Sequence, residues 1–367
     1  MKLEAALPLE RSAQDAPPPV SFFEFWPGWM FYPPVIAHCL LLGLRYGSPG
    51  LLTAANPRIT SGGLCGESKM EILDQVQGEA RALLARATSL LTDPADPSAD
   101  AGAAAQAMAA AGLAFPVVAK PDIGCNGAGV RLVADAAALA RYLTAFPRGE
   151  RVVLQEFVPF EGEAGIFYIR RPGAPRGRIT SVTLKSPPSV TGDGRSTLRQ
   201  LILADPRAGK LAELFLPRLE GRLDAVPRQG ETVRLVFVGN HCKGSIFRDG
   251  TDHVTPALAE AIERFAQGLP EFYFGRIDLR FDNLAALGRG EGFRVIEVNG
   301  AGSEATHVWD PRTRLLDAWR AQFFHYGEAY RIGAANRARG FRPTGALALL
   351  RLWQRQKRLM AAYPAND

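Results

Sequence analysis

Two kinds of patterning meet near residue 114. Ahead of it the apolar positions follow helical spacing or crowd into aromatic clusters. Residues 1–20 are polar and proline-bearing and are expected to be disordered. SFFEFWPGWMFYPPVIAHCLLLGLRYGSP is dense in aromatics and reads as a helix behind a proline-fixed entry. GESKMEILDQVQGEARALLARATSLL has helical periodicity, with Ser68 near its start. The acidic, proline-containing TDPADPSADAGAAAQ reads as a linker into a short alanine-rich helix.

From residue 115 the pattern becomes α+β. FPVVAKP, VRLV and RVVLQEFV read as strands, and DAAALARYLTAF between them as a helix. GIFYIRRPGAPRGRITSVTLKS reads as a hairpin turning at RPGAPRGR, and TVRLVFVGNHCKGSIFRDG as a second hairpin. Between the two, SVTGDGRSTLRQLI reads as a glycine-bearing loop running into a helix. PALAEAIERFAQGL is a helix, FGRIDLRFD and FRVIEVN are strands, and residues from 311 onward are mostly helical. No internal repeat is evident.

At 367 residues and 47% hydrophobic content the chain can bury one large core or two to three smaller ones. The net charge of +6 favours anionic ligands in general. Its cations are scattered, without the basic, aromatic-interleaved run that nucleic-acid binding would need. Cys39, Cys65, Cys125 and Cys242 lack C-x-x-C spacing and form neither a zinc motif nor a disulfide framework. MKLEAALPLERSAQDAPPP carries acids and prolines where a secretory signal needs an apolar run, and PPVIAHCLLLGL is too short to span a bilayer. The expectation is a cytoplasmic protein, soluble or peripheral to a membrane.

The chemistry starts at FPVVAKPDIGCNGAGVRLV. A strand delivers Lys120, and Gly124, Gly127 and Gly129 follow as G-x-x-G-x-G. That order is neither the dinucleotide fingerprint nor a Walker loop. It leaves a glycine turn between strands whose backbone amides could fold over phosphates, a pattern that a plain surface hairpin shares. Glu297 and Asn299, two apart on a strand, leave the same face, and Asp278 lies on the preceding strand. Two carboxylates and an amide oxygen are hard ligands of the kind Mg²⁺ takes. An acid inside the otherwise apolar RVIEVN also needs a partner. VVLQEFVPFEGEAG adds a strand end at Glu156 suited to an adenine edge, and Glu163 one loop later suited to ribose hydroxyls.

With these motifs in place, the chain from about Lys69 to Gly302 resembles the ATP-grasp fold, two α+β subdomains gripping ATP. The motif order is most similar to the D-alanine–D-alanine ligase and cyanophycin-synthetase-like carboxylate–amine ligases. The resemblance implies that Lys69 and Lys120 bind phosphates and that GCNGAGV is the lid loop. It further implies that Glu156, Phe157 and Val158 form the adenine-binding connection, Glu163 holds the ribose, and Asp278, Glu297 and Asn299 hold magnesium. Arg276 would steady the transferring phosphoryl group, making Arg276 and Lys120 the catalytic pair. The implied cofactors are ATP and Mg²⁺, with Mn²⁺ as a substitute.

The implied division is a divergent N-terminal segment at 21–68, a helical linker at 69–113, a lid subdomain at 114–185, a larger subdomain with the metal site at 186–310 and a helical region at 311–367. D-alanine ligases follow EVN with Ser-Pro-Gly. Here GAGSEATHVWDP follows, which argues against D-alanine as substrate. The implied activity joins a small-molecule carboxylate to an amine, or to a thiol, through an acylphosphate. A small-molecule kinase and a catalytically silent, membrane-peripheral nucleotide binder are the alternatives. The second draws on the aromatic N-terminal stretch and the basic ALALLRLWQRQKRLMAAY, which leave peripheral membrane contact and a homodimer open. Lys185 and Arg234 are candidates to reach the site. His307 is read first as a packing or capping residue.

Overall fold

The computed structural model describes residues 20–236 and 244–364. The disorder expected over residues 1–20 falls almost wholly outside them, as does Cys242. Among the described residues eleven strands fall into three antiparallel sheets. A four-stranded sheet has the order β1-β4-β2-β3, from Ala87–Leu91 (β1), Val117–Pro121 (β2), Arg131–Val133 (β3) and Arg151–Glu156 (β4). A five-stranded sheet has the order β11-β10-β5-β6-β9, from Gly162–Ile169 (β5), Arg178–Ser186 (β6), Ile246–Asp249 (β9), Phe274–Phe281 (β10) and Phe293–Asn299 (β11). Ser189–Thr191 (β7) and Thr232–Arg234 (β8) pair with each other.

The alternation along β5 explains how the larger sheet is covered. Ala164, Ile166 and Tyr168 enter one core with Leu258, Ile262 and Phe265 of the helix Pro256–Gln267. Phe167 and Ile169 point the other way, into a core with Ala329, Tyr330 and Ile332 of the long helix Leu315–Ala338. The smaller sheet is covered by the helices Pro97–Ala110 and Ala136–Thr144, through Ala104, Met108, Leu139 and Leu143 packed on Val117, Ala119, Val152 and Leu154.

Several expectations needed correction. The helical reading of residues 66–91 holds as an α-helix for Lys69–Asp74, where Ser68 Oγ caps by accepting from the Glu71 amide at 3.1 Å, and as a 3-10 helix for Gly78–Leu83. Gly78, at φ 60°, turns the chain, and residues 87–91 become an edge strand antiparallel to β4. Pairing with β4 overrides the helical preference of that Ala/Leu-rich segment. The alanine-rich helix begins at Pro97, inside the stretch read as linker, with Asp96 as its cap. Residues 232–249 are not one hairpin, because β8 pairs with β7 while β9 pairs with β6; their connection lies partly outside the described residues. The span 114–185 draws strands from both large sheets, since β5 and β6 belong to the five-stranded one.

Candidate active site

The two large sheets face each other across a cavity of about 580 Å³. Its wall includes Lys69, Lys120, Gly124, Gly127, Glu156, Phe157, Val158, Glu163, Arg276, Asp278, Glu297 and Asn299, so residues up to 230 positions apart in the chain converge there. Of the residues that the resemblance assigned to phosphate, nucleotide and metal, Gly129 is the one missing from the lining. It sits behind the loop at φ 69°, with Pro121 and Tyr363 where a Cβ would go.

On the five-stranded sheet the register does the assembling. Asp278 of β10 stands directly opposite Glu297 of β11, and Arg276 opposite Asn299. Next to that pair the ladder slips, so that Leu279 faces Val295 and Ile296 is left as the extra residue of a β-bulge. The bulge turns the Ile296 carbonyl toward the other sheet. There it accepts from Lys120 Nζ at 3.0 Å and from Gln155 Nε2 at 3.2 Å. Lys120 Nζ also donates to Gln155 Oε1 at 2.9 Å. Burial lowers the Lys120 ammonium to about 8, with Glu297 and Asp278 pulling the other way.

Asp278 is buried in a cationic cage. Arg276 grips it with two bonds, Nε to Oδ1 at 2.8 Å and Nη2 to Oδ2 at 2.9 Å, and Lys185 Nζ donates to Oδ1 at 3.0 Å. Burial alone would raise its carboxyl, but Arg276 and Lys185 outweigh that and hold it at about 2. Asn299 Nδ2 adds a bond to Oδ2 at 3.1 Å. The cage fits only because residue 165 on β5 is glycine. A Cβ there would lie 2.9 Å from both Arg276 Cδ and Asp278 Oδ1. Lys185, a candidate at the sequence level, thus enters the site, bridging Asp278 and Glu163. Arg280 lies 3.8 Å from Glu163 as well. Glu156 accepts from Arg86 at 2.7 Å.

Lys69 starts its short helix with its ammonium on the Gly124 carbonyl at 2.6 Å, so the first lysine anchors the glycine loop. It also lies 3.7 Å from Glu297. The segment before it is held against β11 by a glycine crossing. Gly62 and Gly63 offer their carbonyls to the Ala301 and Gly302 amides at 2.9 and 2.7 Å, and a Cβ on Gly63 would meet the Gly300 backbone at 2.6 Å. That crossing brings in Glu67, a residue the sequence reading missed. Its Oε2 is buried with no hydrogen-bond partner, and burial raises its carboxyl, with Glu297 adding to the rise. Glycines at both contact points were the only sequence signal for it.

Tyr32, Glu304, Trp309, Tyr326 and Gln356 complete part of the wall and were likewise missed. Tyr32 donates to Glu304 Oε1 at 2.8 Å, so the aromatic N-terminal stretch forms part of the cavity. Arg234 does not line it; its Nε donates to the Val236 carbonyl at 2.9 Å. Nor does His307, whose buried ring is lowered by desolvation. Glu297, Asn299, Asp278 and the unpartnered Glu67 oxygen are hard oxygen donors of the type that suits Mg²⁺. Among the described residues no cluster of three or more His, Cys, Asp or Glu side chains is arranged to hold a metal ion.

Comparison with known proteins finds similarity to a synthetase and to several ligases. It is 29% identical over 213 residues to cyanophycin synthetase of Synechocystis, a stretch that is 53% of this chain and 24% of that protein. The chain therefore spans about a quarter of that relative's length. Similar solved structures include D-alanine–D-alanine ligase from Bacillus anthracis (15% identity, TM-score 0.40, 77% of this chain and 71% of that one). VanG D-Ala:D-Ser ligase from Enterococcus faecalis is another (13%, 0.40, 74% and 64%). No protein-family model matches the chain.

Proposed function

We propose that this chain is an ATP- and Mg²⁺-dependent ligase that joins a carboxylate to an amine through an acylphosphate, releasing ADP. The observation that carries the reading is the convergence of Lys69, Lys120, Arg276 and the Asp278–Glu297–Asn299 set on one cavity roofed by the Gly124–Gly127 loop. The similarity to cyanophycin synthetase supports it.

In this reading Lys69 and Lys120 bind the phosphates, and Glu156 to Val158 receive the adenine. Glu163 takes the ribose, exchanging part of its contact with Lys185. Asp278, Glu297 and Asn299 would hold the metal ion, which screens phosphate charge. Arg276 is placed to neutralise charge building on the transferred phosphoryl group. The substrate carboxylate attacks the γ-phosphorus and ADP leaves. The amine then attacks the acyl carbon, expelling phosphate and losing a proton. Closure of the glycine loop would keep water from the acylphosphate. We assign the four-stranded unit the lid role, because it carries Lys120 and the loop.

The test is ADP release by the purified chain against pooled carboxylates and amines, with products identified by mass spectrometry. ADP, phosphate and an amide support the ligase. ADP with a stable phosphoester makes it a kinase. No release from any pool overturns the enzymatic reading.

A further inference from the structure

The helix Pro33–Arg45 turns an apolar face outward. Val35 and Gly43 are buried, and the helix packs on the long helix through contacts such as His38 to the Phe323 carbonyl and Tyr46 on Tyr330. The opposite face, Pro33, Ile36, Ala37, Leu40, Leu41 and Leu44, is exposed and carries no polar side chain. Leu40, Leu41 and Leu44 are 60%, 64% and 80% exposed, and Trp29 just ahead of them is 75% exposed. A soluble surface helix normally presents charge here. A contiguous apolar face of this size calls for cover.

The charge around it points to one kind of cover. The last helix, Ala346–Ala362, contains Arg351, Arg355, Lys357 and Arg358 and no acid, with Leu347, Leu350 and Trp353 exposed beside them. The start of this basic helix is tied to the segment that follows the apolar one. The Thr344 amide donates to Thr53 Oγ1 at 2.8 Å, and a Cβ on Gly50 would touch the Thr344 carbonyl at 3.3 Å. Arg45 adds a cation in the last turn of the apolar helix. Apolar insertion next to cations, with exposed tryptophans in both segments, is the composition of an interfacial helix pair. Among the described residues no helix is long and apolar enough to cross a membrane, so the contact is with a surface.

We propose that Trp29 to Leu44, with the basic last helix, dock the protein on an anionic lipid bilayer. The docking segment continues directly into the site, since Tyr32 lines the cavity. The basic helix also reaches the site, where Gln356 borders the cavity and the Tyr363 hydroxyl, just beyond the helix, donates to the Ile123 carbonyl at 2.6 Å, at the root of the glycine loop. A docked molecule therefore holds its cavity beside the membrane.

The experiment is co-sedimentation of the full chain with phosphatidylcholine vesicles, with and without phosphatidylglycerol, alongside light scattering in solution. Binding is expected only with phosphatidylglycerol present and is expected to fall as salt rises. The double variant Leu40→Asp, Leu44→Asp should lower partitioning by roughly tenfold or more. Arg351→Glu should lower it by about fivefold or more, and Arg358→Glu by a similar factor. These last two sit on an exposed helix and keep the test intact where the leucine variant fails to fold. Absence of co-sedimentation with either vesicle overturns the proposal. So does a solution dimer that the leucine variant splits while vesicles go unbound. Neither measurement involves ATP, so the result stands apart from the ligase reading.

Discussion

The two walls of the cavity handle charge in opposite ways. On the five-stranded sheet, charges meet countercharges: Asp278 is clasped by Arg276 and Lys185, and Glu163 by Lys185 with Arg280 nearby. On the facing side, Lys69 and Lys120 rest chiefly on uncharged oxygens, the carbonyls of Gly124 and Ile296 and the amide of Gln155. A carboxylate partner would cancel an ammonium. A carbonyl orients it and leaves its field largely intact for an arriving anion. The first wall is thus a neutralised, fixed platform, and the second keeps positive charge in reserve for phosphate. Glu297 stands between them, opposite Asp278 in register and 3.7 Å from Lys69.

The sharpest way to break that contrast is to remove one acid from each setting. Asp278→Asn leaves Arg276 buried without its ion-pair partner and Lys185 with Glu163 alone. It should cost about 3–5 kcal/mol of stability together with the loss of turnover. Glu297→Gln, in a half-buried position with one long ion pair, should lower ATP turnover by roughly a hundredfold or more yet leave the melting temperature close to that of the parent. Thermal melts and ADP release on both variants check this. Equal melting temperatures would show that the cage is not structural, and near-parental turnover in both would remove the metal assignment.

The platform is next most sensitive where it is tightest. Gly165→Val drives side-chain atoms into the space held by Arg276 and Asp278, already closer than 3.0 Å for a single Cβ. Overpacking of this kind should destabilise by about 1–3 kcal/mol and displace Arg276. A melt and an ATP titration distinguish the outcomes. A variant with parental stability and parental nucleotide binding would mean that the pair has room to move.

How much of this was legible in the sequence follows the same divide. Lys120, the glycine loop, Glu297, Asn299 and Asp278 were readable because each combines an unusual residue with a strand or turn that fixes its direction. Strand periodicity put Glu297 and Asn299 on one face, and the register now sets Asp278 opposite. What stayed hidden depends on contacts between distant segments. Nothing local marks Glu67 as a cavity residue; the glycine crossing at 62–63 and 300–302 puts it there. Tyr32 reaches the cavity through a bond to Glu304, 272 residues away. Strand β1 was misread because an edge strand draws its order from β4, while its own Ala- and Leu-rich sequence favours a helix. The bulge at Ile296 has no glycine to announce it, although it aims the carbonyl that holds Lys120.

The gentlest probe of the reserve of positive charge is pH. Burial lowers Lys120 to about 8, below the ordinary lysine value. Below that point the ammonium is charged and attracts phosphate, and above it the free protein loses the proton. Bound phosphate would draw the proton back, so ATP binding above about pH 8 should be accompanied by proton uptake. Affinity should hold steady up to about pH 8 and then weaken by roughly tenfold for the next unit. Unfolding does not account for such a loss through this group. The folded state binds this proton less tightly than the unfolded chain, so Lys120 costs stability below about 8, and the cost fades as pH rises toward the ordinary value. Isothermal titration in buffers of different ionisation heat measures both affinity and proton uptake. Lys120→Arg, which stays charged, should flatten the profile at whatever affinity it retains. A parental protein whose affinity runs level through that range, with no proton taken up, would show that Lys120 does not face the phosphates.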